Sequence, residues 1–136
     1  MLTNNYQTKI VSQLLNSTGQ GKNTSGASVA IGSAYGAPTM SIGTGTTAPK
    51  RSDYKLESEI DINDYEVSFS KSYTTAYDSE NSYVNLIATF TNKSNEPIHV
   101  SEVGLVDTGQ LLAREVFDTP ITLGVGETKS FVLKLF

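Results

Sequence analysis

Residues 98–117 read IHVSEVGLVDTGQLLAREVF, and this stretch decides the fold. Two apolar runs lie on either side of Asp107-Thr108-Gly109-Gln110, which is composed of residues that favour tight turns. Such a pattern predicts an antiparallel hairpin. Glu102 and Arg114 interrupt the apolar runs at equal distances from the turn, so we expect them to form a cross-strand ion pair with a structural role.

Alternation of apolar and polar side chains continues on both sides of this hairpin. It marks residues 56–62, 65–69 and 84–90 before the hairpin, and 121–123 and 128–136 after it. Alternation with a period of two is typical of strands that have one buried and one solvated face. The sequence therefore predicts an all-β fold, an antiparallel β-sandwich or jelly-roll-like domain of about seven to eight strands.

The first part of the chain has a different pattern. Apolar spacings of three and four predict a short helix over residues 3–15, and Thr3 is suited to cap it. The residues that carry this spacing are Tyr6, Ile10, Val11, Leu14 and Leu15. All of them except Val11 form a candidate interface. Residues 16–26 (NSTGQGKNTSG) predict a flexible link. We therefore divide the chain into an arm, 1–26, and a β-domain, 27–136, and expect the β-domain to fold without the arm.

Charge is distributed unevenly along the chain. Ten Lys and Arg against fourteen Asp and Glu give a net charge of −4, yet the first carboxylate is Asp53. The acid-free N-terminal third either packs on a partner or a neighbouring copy, or is a solvated arm. The acidic balance disfavours a nucleic-acid partner. No segment has the length and hydropathy of a membrane span, and we expect no secretory signal.

Few residues are suited to catalysis. The chain has no Cys and only one His, His99, which we expect at the surface. Neither Gly43-Thr44-Gly45 nor Gly21-Lys22 completes a dinucleotide or phosphate loop. The acids between 53 and 66 form a solvated sheet face or, alternatively, a cation site. We therefore predict no catalytic, cofactor-binding or metal-binding residues and no enzymatic activity.

Four blocks between residues 42 and 117 follow one another with characteristic spacing. They are IGTGTTAP (42–49), SDYKLESEI (52–60), SEVGL (101–105) and LLAREVF (111–117). In order and spacing they resemble a motif common in small virion proteins of tailed bacteriophages. The motif positions that we expect to set the fold are Gly43, Gly45, Pro49, Glu102, Gly104 and Arg114.

The resemblance implies a non-enzymatic structural component of the phage virion. It would be an outer capsid (head) decoration or head-attached protein that contacts other virion proteins and copies of itself, with no cofactor, nucleic acid or membrane. The alternative is a tail or collar appendage, or a module that binds a host receptor or carbohydrate. For a host-surface glycan, Tyr73, Tyr77 and Tyr83 would provide a stacking surface.

Overall fold

The chain forms one helix and eight strands in a computed structural model that describes residues 1–15, 18–32, 36, 38–73 and 84–135. The helix α1 spans Asn4–Leu15, and the hydroxyl of Thr3 accepts a hydrogen bond from the Tyr6 N–H at its start. The strands are β1 (Gly19–Lys22), β2 (Ser28–Ile31), β3 (Thr39–Gly43), β4 (Tyr65–Tyr73), β5 (Val84–Asn92), β6 (Ile98–Asp107), β7 (Gln110–Leu123) and β8 (Thr128–Leu135). Within the described residues no helix is long and apolar enough to cross a membrane.

The strands form three antiparallel sheets, with the orders β1-β2, β3-β6-β7 and β4-β5-β8. The all-β fold class with a short N-terminal helix is therefore confirmed. The hairpin between β6 and β7 is also present, with Thr108 and Gly109 at φ values of 48° and 75°. Positive φ at both central residues gives the turn the twist that antiparallel strands need.

The chain divides into two compact units. Unit 1 comprises Met1–Ile60 and His99–Ile121, and unit 2 comprises Asp61–Ile98 and Thr122–Phe136. The predicted division between 26 and 27 thus lies inside unit 1. Each unit contains one of the three-stranded sheets, apart from the ends of β6 and β7 that pass into unit 2.

The N-terminal segment is part of unit 1. The prediction of a flexible link at 16–26 is wrong for Gly19–Lys22, which forms β1 and pairs with β2. Residues 1–3 lie along β7, where the Thr3 N–H donates to Leu112 O at 2.9 Å and the Arg114 N–H donates to Met1 O at 2.9 Å. These backbone hydrogen bonds hold the segment, and hydrophobic patterning does not reveal them.

Residues 56–62 do not form the predicted strand. Their backbone bends, and its pairing with β3 is limited to an isolated bridge between Gly43 and Glu59. The N–H groups of Glu57 and Ser58 donate to a carboxylate, that of Glu102, instead of to a neighbouring strand. The side chains do alternate between apolar and polar, but the N–H groups of Glu57 and Ser58 are not available to pair with a strand. A second difference is that residues 111–117 and 121–123 belong to one continuous strand, β7.

Unit 2 has an apolar core in which the predicted alternation holds. Leu86, Ala88 and Phe90 of β5 are buried, as are Phe131 and Leu133 of β8. The ring of Phe90 meets those of Tyr65 and Phe131 edge to face, each at a centroid distance of 5.4 Å. Such edge-to-face pairs add stability beyond the area they bury.

Candidate functional site

The centre of the candidate site is the carboxylate of Glu102 on β6, which is fully buried. Its Oε1 accepts hydrogen bonds from the N–H groups of Gly45 at 3.1 Å and Ser58 at 2.8 Å. Its Oε2 accepts one from the N–H of Glu57 at 3.1 Å. One side chain from the sheet therefore binds backbone on both limbs of the 44–58 segment.

Arg114 on β7 provides the positive charge that this carboxylate requires. Its Nε donates to Glu102 Oε2 at 2.7 Å, which places the predicted ion pair in the structure. The same guanidinium donates to Asp53 Oδ2 at 2.9 Å and to Glu57 Oε2 at 3.4 Å. Burial by itself would lower the pKa of Arg114, but the hydrogen bonds to Glu102 and Asp53 raise it above its usual value. The guanidinium thus stays charged. We call Glu102, Arg114, Asp53 and Glu57 the carboxylate–arginine network.

Glu57 joins the network to the loop that precedes it. Its carboxylate accepts hydrogen bonds from the N–H and the hydroxyl of Thr47, both at 2.8 Å. These bonds, together with the charge of Arg114, hold the pKa of Glu57 below its usual 4.5. The 44–58 segment is therefore fastened from its own two limbs and from the sheet.

The glycines predicted to be structural lie against this network. A Cβ added at Gly45 would come within 2.6 Å of Glu102 Oε1, and one at Gly43 within 2.5 Å of the same atom. A Cβ at Gly104 would come within 2.8 Å of Leu56 and Leu111. These positions require glycine because the backbone approaches side chains too closely for a Cβ. Pro49 is half-buried in the 44–58 segment.

Sequence reasoning missed a second buried ion pair. Lys9 of α1 and Asp107 at the end of β6 are 2% and 0% exposed, and their Nζ and Oδ2 atoms are 3.3 Å apart. Asp107 also accepts a hydrogen bond from the Gly36 N–H at 3.1 Å. The available signal was Lys9 itself, a lone charge at the centre of a predicted helix. Removing residues 1–26 would take this cation from Asp107, so we expect the shortened chain to be less stable than the whole chain; that residues 27–136 fold without the arm stays a prediction.

The candidate interface residues of α1 differ in exposure. Tyr6 and Ile10 are half-buried, and Leu14 is 80% exposed. Val11, which the candidate set omitted, is 46% exposed. The side chain of Leu15 lies outside the described residues, as do Tyr77, Tyr83 and the side chain of Tyr73.

The remaining candidates are separate from the network. His99 is exposed on β6. Of the acids in the 53–66 stretch, Asp53 and Glu57 bind Arg114, whereas Glu59, Asp61, Asp64 and Glu66 are exposed. Among the residues that the structure describes, no three His, Cys, Asp or Glu side chains are arranged to hold a metal ion.

Beside the network lies a cleft of about 370 Å³. Its lining includes Lys50, Tyr54, Lys55 and Leu56, together with Asp53, Glu57 and Arg114 of the network. The Nζ atoms of Lys22 and Lys55 lie 5.4 Å and 6.0 Å from the centre of the Tyr54 ring. The carboxylate oxygens of Glu102 and Glu57 already accept hydrogen bonds from the protein, so the arrangement is suited to holding a loop in place.

The chain was compared with protein-family models, curated proteins and solved structures. No model of a protein family, no curated protein and no solved structure matches it. Its function must therefore be inferred from the residues of the site and from the surfaces of the two units.

Proposed function

We propose that the chain is a non-enzymatic structural component of a bacteriophage virion, most specifically a capsid decoration or head-attached protein. In this role it acts through protein–protein contacts with other virion proteins and with its own copies. A tail or collar position is the alternative within the same class.

One observation carries the proposal: the four blocks that resemble phage virion proteins meet around one carboxylate. The first block supplies Gly43 and Gly45, the second Glu57 and Ser58, the third Glu102 and the fourth Arg114. Blocks separated by up to about seventy positions in the sequence thus form a single framework. This supports the view that the shared motif specifies a scaffold, which is what an architectural part needs.

The composition of the N-terminal third supports contact with other proteins. It carries no carboxylate and presents Val11 and Leu14 outward. An exposed apolar surface with few charges loses little hydration energy when a partner covers it.

The test is to ask whether the chain is part of purified particles. Particles would be made from a phage genome that encodes a tagged copy, banded on a density gradient and quantified by mass spectrometry. We expect the chain to band with the major capsid protein at a fixed ratio. A high ratio to the capsid protein supports head decoration, and a low ratio supports a collar or tail position. Recovery only in the free-protein fractions contradicts the proposal.

A matched pair of glycine variants strengthens this test. Gly45→Ala places a Cβ against Glu102, whereas at Gly32 an added Cβ meets nothing within 4 Å. We expect Gly45→Ala to reduce incorporation into particles and Gly32→Ala to leave it unchanged. Equal incorporation of both variants would show that the network does not matter to assembly.

The cleft supports a second candidate function, recognition of a carbohydrate. It places the ring of Tyr54 among charged side chains, and an aromatic ring with hydrogen-bonding groups around it is suited to a sugar face. A glycan array probed with the isolated chain tests this function, with Tyr54→Ala as the variant that should lose binding. An array without signal rejects it.

A further inference from the structure

Helix α1 is oriented with its polar side toward unit 1. Asn5, Lys9 and Ser12, spaced as i, i+4 and i+7, are all at most 5% exposed. Asn5 Nδ2 donates to Lys22 O at 2.6 Å, and the Lys22 N–H donates to Asn5 Oδ1 at 3.0 Å. Ser12 Oγ donates to Ile31 O at 3.1 Å. Polar contacts therefore hold the helix in place through Asn5 and Ser12, and the opposite side of the helix is not part of these contacts.

The opposite side exposes two apolar residues beside a polar one. Gln7, Val11 and Leu14 follow the same i, i+4, i+7 spacing, and all three are exposed. We call these three residues the outer face of α1. Leu14 at 80% and Val11 at 46% are among the most exposed large apolar side chains of the described residues. An amphipathic helix with its apolar side outward is typical of a docking surface.

Positive charge borders the outer face. Arg51 is exposed, and its Nη2 donates a hydrogen bond to Gln7 Oε1. No carboxylate occurs among residues 1–50, and Asp53, the first along the chain, binds Arg114. A partner for this face should therefore combine an apolar side chain with negative charge.

Unit 2 carries a surface with that chemistry. The 3₁₀ turn Ile62–Asp64 presents Ile62 at 64% exposure, with Asp61 before it and Asp64 within it. Asp61 accepts a hydrogen bond from the Asn63 N–H at 2.9 Å, which fixes the turn. Glu66 is exposed just beyond the turn, and the Lys93 N–H donates a hydrogen bond to Asp64 O at 2.9 Å. We call Asp61, Ile62, Asp64 and Glu66 the acidic turn.

We infer that the outer face of α1 binds the acidic turn of a second copy of the chain, so that copies associate head to tail. Val11 and Leu14 cover Ile62, and Arg51 faces the carboxylates. Two outer faces could not meet equally well, because no carboxylate among residues 1–50 would meet the Arg51 of either copy. The head-to-tail form of this contact is heterologous and continues into rings or filaments, whereas a reciprocal pair, in which each copy gives both surfaces to the other, stops at two copies.

This inference concerns the chain alone and does not depend on the virion role. Its test uses the purified full-length chain in sedimentation velocity and light scattering over a range of concentrations. We expect species larger than the 14.6 kDa monomer that weaken as salt is raised. A monomer at every concentration overturns the inference and leaves the particle experiment unaffected.

Matched variants locate the two surfaces. Leu14→Asp puts a charge on the outer face, and Gln13→Asp adds the same charge at its exposed neighbour. Ile62→Lys removes the apolar centre of the acidic turn, and Asn63→Lys adds the same charge beside it. We expect at least a tenfold loss of association for Leu14→Asp and Ile62→Lys, and a smaller loss for the two controls. Full association of Ile62→Lys overturns the head-to-tail contact.

Mixing the two disabled variants distinguishes this contact from a symmetric one. Leu14→Asp retains an intact acidic turn, and Ile62→Lys retains an intact outer face. A head-to-tail contact predicts that the mixture forms one-to-one pairs and stops there, although each variant alone is monomeric. If the mixture stays monomeric, the two surfaces do not bind each other and the inference is wrong.

Discussion

The interiors of the two units differ in the side chains that they bury. Unit 2 fills its interior with apolar side chains, among them the edge-to-face rings of Tyr65, Phe90 and Phe131. Unit 1 also buries apolar residues, but places charged groups among them. Those groups are Lys9, Glu102, Asp107 and Arg114, each at most 3% exposed.

The difference shows what buried charge contributes to this fold. An apolar contact has little directional preference, whereas a carboxylate binds particular N–H groups in particular positions. Glu102 fixes a segment that has almost no strand pairing, which apolar packing alone would not specify. Burying such a group has a desolvation cost, so its value lies in defining one arrangement of the loop.

The largest effect should follow from removing the central carboxylate. Glu102→Ala leaves Arg114 buried without its closest partner and leaves three N–H groups without their acceptor. We expect the free energy of unfolding to fall by about 3–5 kcal/mol, measured by urea denaturation. Glu59→Ala, at an exposed acid of the same stretch, is the control and should change it by less than about 0.5 kcal/mol. Equal effects of the two variants would mean that the network adds no stability.

A smaller effect should follow from crowding the network. Gly45→Ala requires Glu102 or the backbone to move, which costs about 1–3 kcal/mol. Gly32→Ala has open space and is the matched control. Amide hydrogen exchange should show faster exchange at Gly45, Glu57 and Ser58 in the Gly45→Ala variant, because these N–H groups share the displaced carboxylate. Unchanged exchange there would contradict the close packing.

A substitution at the centre of the unit 2 core should destabilise the chain less than the loss of Glu102 in unit 1. Phe90→Leu keeps the interior apolar and loses mainly the two edge-to-face contacts. We expect a loss of about 1–1.5 kcal/mol in the same urea experiment, less than for Glu102→Ala. A loss as large as that of Glu102→Ala would remove the contrast between the units.

The smallest effect concerns pH. The folded chain holds the pKa of Glu57 below the unfolded value of about 4.5, so the unfolded chain binds more protons in that interval. The stabilisation is fully present above about pH 4.5 and is lost as pH falls through the lowered pKa. Glu57→Gln should therefore flatten the acid side of the curve of melting temperature against pH. An unchanged acid side would show that other carboxylates determine it.

Local sequence pattern predicted the parts of the fold that depend on neighbouring residues. The turn at 107–110, the helix α1 and the alternating core of β5 and β8 all follow from residues close in sequence. Symmetry about the turn was enough to pair Glu102 with Arg114. The three N–H groups that bind Glu102 were not predictable, because they lie 44 to 57 positions away and any residue type supplies an N–H.

Contacts with distant residues also explain why two predictions about secondary structure were wrong. Residues 56–62 alternate as a strand does, but a distant carboxylate takes their backbone donors. Gly19–Lys22 has no apolar side chain, yet it pairs with β2 and binds Asn5 through backbone atoms. Hydrophobic periodicity does not report contacts of this kind, so the sequence did not predict that the polar side of α1 is buried.

The discontinuity of unit 1 has a consequence for synthesis on the ribosome. Strand β3 pairs with β6, and residues 1–3 lie along β7, so the first sixty residues cannot complete their fold until 99–121 have left the exit tunnel. During that interval Met40 and Ile42 of β3 lack the strand with which they later pair. The segment before Asp53 carries no carboxylate and few charges of any kind, so little repulsion keeps it apart from other chains. We expect chaperones that hold nascent chains to raise its soluble yield.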